Sequence, residues 1–299
     1  MTQPARVQIV EVSPRDGLQA EERTLPTETK LELLDRLADA GHTAIEATSF
    51  VSPTAVPQLA DADELLKRLR RRPGVRYPVL VPNPRGLERA IAAGADEVAV
   101  FVSASESYSQ KNLRRPMHEA LATACAVAGQ AAARGMRVRG YVSMVIADPD
   151  DGPTDPGAVV ETGRALLDAG CAELSLGDTI GAGTPAQVRR LLDAHGGGGI
   201  GLERVAVHFH DTYGQGLANV LTALERGVTV VDASVGGIGG SPFAKSASGN
   251  LATEDVVWML DGMGVATGVD VQKLAATAKW MAQQLGRELP GRAARALFS

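Results

Sequence analysis

The sequence predicts an α/β protein, a (β/α)₈ (TIM) barrel, on the basis of three observations. Short runs rich in β-branched residues alternate with longer helical stretches eight times along the 299 residues. The short runs are almost continuously apolar, which is typical of parallel strands covered by helices. Polar and ionisable residues collect at the C-terminal ends of these runs, where barrels of this class carry their active sites. A doubly wound open sheet of eight strands is the weaker alternative.

The strands and helices can be placed from these patterns. The predicted strands are Val7–Ser13, Ala44–Phe50, Tyr77–Pro82, Glu97–Ala104, Arg137–Val145, Ala172–Thr179, Arg204–Thr212 and Thr229–Val235. The clearest helical stretches between them are Thr27–Ala40, Pro57–Arg70 and His118–Arg134. Several helices end in a glycine that we expect to act as a left-handed C-cap, namely Gly41, Gly94, Gly135, Gly170 and Gly227. A glycine run, Gly196–Gly199, is predicted to be a flexible loop on the non-catalytic side.

One helical stretch near the C-terminus, Val271–Leu285, is not required by an eight-unit barrel. We therefore expect a barrel with an additional C-terminal helix, which covers a barrel end or takes part in an interface. Because barrels of this class commonly use about 250 residues as one domain, residues 1–299 are predicted to form a single catalytic domain.

Composition and charge exclude several classes of protein. The net charge is −5 and aromatic residues make up 4% of the chain, which is unfavourable for binding nucleic acid. No apolar run approaches the ~20 residues of a membrane span, and no apolar signal region precedes the first strand. We therefore expect a cytoplasmic protein without a nucleic-acid or membrane partner. Cys125 and Cys171 lack a CxxC spacing and are interpreted as buried thiols.

Two histidines at the end of the seventh predicted strand indicate a metal site. Alternate residues of a strand share a face, so the imidazoles of His208 and His210 point the same way. The eighth strand closes the barrel against the first, which makes Asp16 the natural third ligand. The side-chain carbonyl of Asn250 is a candidate fourth ligand. This mixed ligand set with open positions suits Mg²⁺ or Mn²⁺ better than structural zinc. The alternative is that one histidine belongs to the core.

Other polar residues at the same mouth are candidates for catalysis and binding. Arg15 is well suited to stabilising an enolate oxygen beside a metal. Glu46 either forms a buried ion pair or orients Arg15 and the substrate. Asp178 is a candidate catalytic residue, although orienting the histidines is an equally good interpretation. The candidate cofactor-binding residues at the strand ends are Gln19, Ser49 and Thr179.

These segments together resemble the hydroxymethylglutaryl-CoA lyase family, within a larger group of barrel metallolyases. The resemblance extends over nearly the whole chain, with the motifs in the expected order. The matching stretches are Ser13–Gln19, Ile45–Pro53, Ser175–Gly181, His208–Gln215 and Ala247–Asp255. Condensing relatives generally carry His-x-His-Asn-Asp, whereas Asp211 directly follows the second histidine here and favours the lyase branch.

The resemblance implies cleavage of a 3-hydroxy-3-methylglutaryl-CoA-like thioester to acetyl-CoA and a keto acid through an enolate. It implies an acyl-CoA substrate, a divalent metal and a homodimer. Arg15 would neutralise the charge of the enolate, and Glu46 would support that site. The metal would be bound by Asp16, His208, His210 and Asn250.

One position departs from the family pattern. Ser241 stands where the lyases usually carry a reactive cysteine, and a hydroxyl is a far weaker acid than a thiol with a pKa near ~8.5. Ser241 or water would then handle the proton. Two alternatives to a lyase follow, an acyl-CoA condensing enzyme on the same scaffold and a catalytically silent acyl-CoA-binding homologue. The complete set of metal and arginine residues argues against the silent binder.

Overall fold

Eight parallel strands form one continuous sheet in the computed structural model, which describes residues 4–240 and 249–298. The strands are β1 (Gln8–Glu11), β2 (Thr48–Ser49), β3 (Val79–Leu80), β4 (Glu97–Ser103), β5 (Arg137–Ser143), β8 (Glu173–Asp178), β9 (Val205–Phe209) and β10 (Val230–Ala233). Neighbours in this sheet follow the order β1, β10, β9, β8, β5, β4, β3, β2. A separate antiparallel hairpin pairs β6 (Ala147–Asp148) with β7 (Gly152–Pro153).

The two ends of this sheet meet at Glu11, which closes the barrel. Glu11 pairs in parallel with Ile45, just before β2, while its other side pairs with Ala233 of β10. The Glu11 amide donates to the Ala44 carbonyl at 3.0 Å, and the Glu11 carbonyl accepts from the Glu46 amide at 2.8 Å. The predicted (β/α)₈ barrel is therefore confirmed, and the open doubly wound sheet is excluded.

Helices follow the strands and cover the outside of the barrel. They are α1 (Thr27–Asp39), α2 (Ala62–Arg68), α3 (Pro84–Ala92), α4 (Glu106–Leu113), α5 (Met117–Ala132), α6 (Pro156–Asp168), α7 (Pro185–Gly197), α8 (Gly216–Glu225), α9 (Thr253–Gly262), α10 (Val271–Leu285) and α11 (Arg292–Leu297). The predicted additional helix is α10, with the predicted bounds. Within the described ranges no helix is long and apolar enough to cross a bilayer.

Two local predictions differ from the structure. The predicted helix Pro57–Arg70 is a single 3₁₀ turn followed, after a break, by α2. The glycine run was predicted to be a loop, but α7 continues through Gly197, because the Gly198 amide still reaches the Ala194 carbonyl at 2.8 Å. The five glycines predicted to be left-handed all have positive φ, between 76° and 108°.

The core lies between the strands and the helices. Aliphatic residues of β4 such as Val98, Val100 and Val102 are buried in the main hydrophobic cluster. Both cysteines are free; Cys171 is buried, as the sequence predicts, whereas Cys125 is only partly buried. Burial raises the pKa of the Cys171 thiol to about 12, so it stays protonated at neutral pH.

A pair of buried carboxylates lies where the barrel closes. Glu11 accepts hydrogen bonds from Ser13 N at 2.9 Å, Val235 N at 3.0 Å and Thr253 Oγ1 at 2.7 Å. Glu254 lies in the first turn of α9 and accepts from Gly236 N at 2.9 Å, while its Oε1 has no hydrogen-bond partner among the described residues. Burial raises the pKa of Glu254 to about 8, against the effect of the Gly236 hydrogen bond.

Replacing Glu254 with glutamine should therefore change how stability depends on pH. A carboxyl group whose pKa is raised by folding makes its full contribution to the stability of the folded state below the pKa that it has in the unfolded chain. This contribution is lost as pH rises through about 8. The advantage of Glu254→Gln over wild type should grow by about 2 to 3 kcal/mol between about pH 5.5 and about pH 8.5. Urea unfolding at both pH values measures it. Glu288→Gln, at an exposed carboxylate, is the control, and an equal change in both variants would contradict the assignment.

Candidate active site and metal centre

A short turn after β1 places Arg15 and Asp16 at the mouth of the barrel. Residues Ser13–Gly17 form one π-helical turn, in which the amides of Arg15, Asp16 and Gly17 all point at the Val12 carbonyl, at 3.2, 2.8 and 3.1 Å. The turn packs closely on the loop after β10, since a Cβ on Gly17 would lie 2.9 Å from Ser234 Oγ. This packing holds Asp16 beside the ends of β9 and β10.

Asp16 and the two histidines form a cluster that could hold a metal ion. His208 lies in β9 and His210 follows the strand, with ring centroids 5.4 Å apart. One ligand atom from each of the three residues lies within 4.8 Å of the others. His208 Nε2 is 3.9 Å from Asp16 Oδ2. Alternation along β9 and the residue after it therefore directs both imidazoles towards the Asp16 carboxylate in the turn after β1.

Asn250 is held next to this cluster by backbone pairing. Asn250 forms an antiparallel bridge with His210, and the adjacent Leu251 amide donates to the Phe209 carbonyl at 3.1 Å. Its side-chain Nδ2 donates to Asp16 Oδ2 at 2.9 Å and to the Ile238 carbonyl at 3.1 Å. Its Oδ1 is buried without a hydrogen-bond partner in the described part of the chain.

A second carboxylate, Asp232 of β10, lies behind His208. Asp232 Oδ2 is 3.4 Å from His208 Nδ1, at the outer limit of a hydrogen bond, and also accepts from Ser175 Oγ at 2.7 Å. Its Oδ1 accepts from Arg139 Nη2 at 2.6 Å. A carboxylate behind the ring orients a ligating histidine and leaves Nε2 for the metal.

The protonation states at the cluster suit a cation. Burial alone would raise the pKa of Asp16, but Arg15 and the two histidines outweigh it and hold this pKa at about 2. Burial and the neighbouring His208 lower the pKa of His210 to about 4, so its ring is neutral at pH 7. For His208, burial lowers the pKa, but the hydrogen bond and charge of Asp232 and the charge of Asp16 together raise it.

This donor set fits a hard divalent cation. One ionised carboxylate and two imidazoles converge with the Asn250 amide beside them, and three buried atoms of these residues, His208 Nδ1, His210 Nδ1 and Asn250 Oδ1, have no hydrogen-bond partner within residues 4–240 and 249–298. A buried polar atom without a partner is costly, and coordination would remove that cost. The chain thus has a site that fits a divalent metal.

Arg15 lies between the cluster and a second buried carboxylate. Its Nη1 donates to Asp16 Oδ1 and its Nε to Glu46 Oε2, each at 2.7 Å, and its guanidinium stacks over the Tyr141 ring at 5.3 Å. Burial would lower the pKa of Arg15, but the two carboxylates raise it above its ordinary value. Burial raises the pKa of Glu46, against the effect of Arg15. Glu46 therefore forms a buried ion pair with Arg15, and its role in orienting the substrate stays a prediction.

The cluster opens into a cavity of roughly 1030 Å³. Its inner wall carries Arg15, Asp16, His208 and His210, together with Tyr141. Its outer walls come from the loop after the first turn and from α4 and α5. A space of this size accommodates a substrate considerably larger than a simple keto acid.

The other predicted site residues have different positions. Gln19 and Thr179 line the cavity, and Gln19 Oε1 is buried without a hydrogen-bond partner in the described ranges. Ser49 is fully buried and does not line the cavity. Asp178 also lies outside the lining, where its carboxylate accepts from Gly183 N at 2.7 Å and Ala182 N at 3.2 Å. Ser241 lies outside the described residues.

Three residues of the site had no role assigned from the sequence. Asp232 is a charged residue within an otherwise apolar strand and Arg139 follows Val138 in the interior of another, and these charges were the available signal. Tyr141 lies in β5, and its place between two arginines follows only from the fold. Arg139 Nη1 donates to its hydroxyl at 3.1 Å.

Comparisons with known proteins agree with this architecture. The model of the HMGL-like family matches residues 6–281. The mitochondrial hydroxymethylglutaryl-CoA lyase of Rattus norvegicus is 50% identical over 297 residues, which covers 99% of this chain and 90% of the rat protein.

Solved structures of relatives superimpose on nearly the whole chain. The hydroxymethylglutaryl-CoA lyase of Pseudomonas aeruginosa has a TM-score of 0.96 at 46% identity, covering 100% of this chain and 99% of that one. An HMG-CoA lyase from Acinetobacter baumannii, solved with coenzyme A and 3-methylmalate, has a TM-score of 0.94 at 36% identity and covers 99% and 97%. The chain therefore belongs to the HMGL-like family.

Proposed function

We propose that this protein is a metal-dependent carbon–carbon lyase that cleaves 3-hydroxy-3-methylglutaryl-CoA to acetyl-CoA and acetoacetate. The observation that carries the proposal is the pairing of a charged, carboxylate-anchored arginine with a candidate metal site at one barrel mouth. Identity of about half the residues with hydroxymethylglutaryl-CoA lyases over almost the full chain supports the same reaction. No observation favours the condensing or the silent alternative.

Four residues would hold the metal, namely Asp16, His208, His210 and Asn250. When bound, Mg²⁺ or Mn²⁺ would act as a Lewis acid on substrate oxygens. We favour these two ions because two of the four ligands, Asp16 and Asn250, offer the oxygen atoms that hard cations prefer, and none of the four is a thiolate. Asp232 would fix the ring of His208 so that Nε2 faces the ion.

Arg15 would stabilise the charge that develops during cleavage. Transfer of the hydroxyl proton of the tertiary alcohol to water lets the carbinol carbon become a ketone as its bond to the thioester methylene breaks. The electron pair of that bond becomes the enolate of acetyl-CoA, and a proton added to the enolate carbon completes the product. A guanidinium held by Glu46 over the Tyr141 ring is preorganised for the enolate oxygen.

The proton steps and the substrate contacts are also proposals. Ser241 or water would deliver the proton to the enolate carbon. Gln19 and Thr179 would contact the acyl-CoA from the cavity wall, whereas Ser49 and Asp178 would support the strand ends from behind it. The cytoplasmic location, the homodimer and the single catalytic domain of 299 residues stay predictions.

The proposal is tested by incubating the protein with 3-hydroxy-3-methylglutaryl-CoA and Mg²⁺ or Mn²⁺. Acetyl-CoA and acetoacetate should appear in equal amounts, and His208→Ala should lower kcat by at least about 1,000-fold, because a ligand and its orienting contact are both lost. His195→Ala, at a buried histidine of α7 outside the cavity, tests whether the loss is specific. Product from acetyl-CoA and a keto acid, with none from the thioester, would contradict the lyase.

Replacing Arg15 should separate enolate stabilisation from metal binding. Arg15→Lys keeps a positive charge but loses the fork that bonds Glu46 and Asp16, so kcat should fall by about 100- to 1,000-fold. The dissociation constant for Mn²⁺ should change much less, by under about fivefold, because all proposed ligands remain. Steady-state kinetics and metal titration measure the two effects. Equal fold losses in kcat and in Mn²⁺ affinity would assign Arg15 to metal binding alone.

Restoring a thiol at position 241 should raise turnover. Because a thiol is a much stronger acid than a hydroxyl, Ser241→Cys should increase kcat by at least about tenfold at neutral pH. Ser241→Ala is the matched control: activity at the wild-type level would assign the proton to water rather than to the serine. No gain with cysteine would rule out proton delivery from this position.

A further inference from the structure

The segment that leads from the end of α10 into the first turn of α11 lies across the loop that follows β10. This segment, Arg287–Ala293, is called the C-terminal strap. The Gly291 amide donates to the Gly236 carbonyl at 3.2 Å, which joins strap and loop directly. Leu289 of the strap packs so tightly on Gly236 that a Cβ added at Gly236 would overlap the Leu289 side chain. Pro290 packs in the same way on Gly237, where a Cβ would lie 2.9 Å from its Cγ.

The loop that the strap covers also holds Asn250. The Ile238 carbonyl accepts hydrogen bonds from Asn250 Nδ2 at 3.1 Å and from Ser234 Oγ at 2.7 Å. Because Gly239 has no side chain, it leaves room for the Asn250 amide; a Cβ added at Gly239 would lie 2.5 Å from Asn250 Nδ2. A shift of the loop would therefore move the hydrogen-bond partner that sets the orientation of the Asn250 amide.

The strap also reaches the residue that follows His210. Arg292 Nη1 donates to Asp211 Oδ2 at 2.8 Å. The other oxygen of Asp211 accepts from Gly216 N at 2.8 Å, and its amide donates to the Gly249 carbonyl at 3.3 Å. Asp211 therefore joins the end of β9, the start of α8 and the backbone beside Asn250.

Arg292 itself is held in place by α9. Its amide and that of Ala293 donate to the two carboxylate oxygens of Asp255, at 3.1 and 2.6 Å. Asp255 Oδ2 also lies 3.9 Å from Arg292 Nη1. The guanidinium therefore bridges two carboxylates from a fixed backbone position, which is more specific than a mobile surface pair.

We infer that the C-terminal strap is a positioning element for the metal centre and that Arg292 is its positioning residue. The strap acts on Asn250 through Gly236–Ile238 and on His210 through Asp211, so one segment sets the separation of two proposed ligands. The inference rests on the proposed metal site. Arg292 touches neither the substrate nor the ligand atoms.

A purely structural role makes a different prediction. The Arg292 side chain is 61% exposed, and exposed ion pairs contribute about 0 to 1 kcal/mol to stability. A surface pair of that kind would leave metal affinity unchanged. A positioning residue should instead change metal affinity by more than it changes stability, because partners behind the ligands commonly alter affinity about 10- to 100-fold.

The test measures Mn²⁺ binding to the full-length protein without substrate, followed by electron paramagnetic resonance of free Mn²⁺. Arg292→Ala should raise the dissociation constant about five- to tenfold with little change in Tm, and Arg292→Lys should recover part of the affinity. Arg295→Ala is the matched control, since it removes an exposed arginine of the same helix whose contact with the Pro290 carbonyl, at 3.5 Å, is long for a hydrogen bond. Affinity within twofold of wild type for Arg292→Ala would overturn the inference.

A double-mutant cycle identifies the path. If Arg292 acts through Asp211, then Arg292→Ala combined with Asp211→Asn should bind Mn²⁺ about as weakly as the weaker single variant. Fully additive losses would overturn this path. Because the readout requires no substrate, a protein that binds Mn²⁺ in an Arg292-dependent way but cleaves no thioester would contradict the proposed function and leave this inference standing.

Discussion

Closure of the barrel at Glu11 is the constraint on which the rest of the site depends. One residue pairs with β10 on one side and with the chain entering β2 on the other. The Glu11 carboxylate accepts hydrogen bonds from the amides of Ser13 and Val235. It thereby holds the turn after β1 against the loop after β10. Without this closure, Asp16 would be far from His208.

The closure brings together charges that are expensive to bury singly. Removing an ion from water costs several kcal/mol unless a partner compensates. Arg15 has two carboxylate partners at 2.7 Å. Arg139 hydrogen-bonds to Asp232 at 2.6 Å and forms an ion pair with Glu173 at 2.9 Å. Each of these two arginines is thus compensated by two carboxylates, and a bound divalent cation would supply the positive charge that balances this excess at Asp16.

The same compensation gives each group a defined chemical task. Arg15 stays protonated because its neighbours are anions, which suits it to a developing enolate. His210 stays neutral because it is buried beside His208, which suits it to ligation. The strap adds a mechanical element, since it holds the backbone around Asn250 and the carboxylate after His210 from the outside of the barrel.

The sequence by itself determined the strand–helix order, the additional helix α10 and the residue types at the mouth, because these follow from local periodicity, glycine caps and strand alternation. His208 and His210 share a face for the same local reason. Helix α7 ran further than its glycines suggested, since backbone hydrogen bonds outweighed low helix propensity.

Only the tertiary structure decided which residues support the side chains at the barrel mouth. Asp232 and Arg139 are 93 residues apart in the chain, and no local pattern relates them, because their contact arises across the barrel interior. Asp178, which the sequence placed at the mouth, has its oxygens turned to the Gly183 loop. The contact of Arg292 with Asp211 spans 81 residues. Spacing along a strand predicts which face a residue shares, whereas contacts across a closed barrel depend on the path of the whole chain.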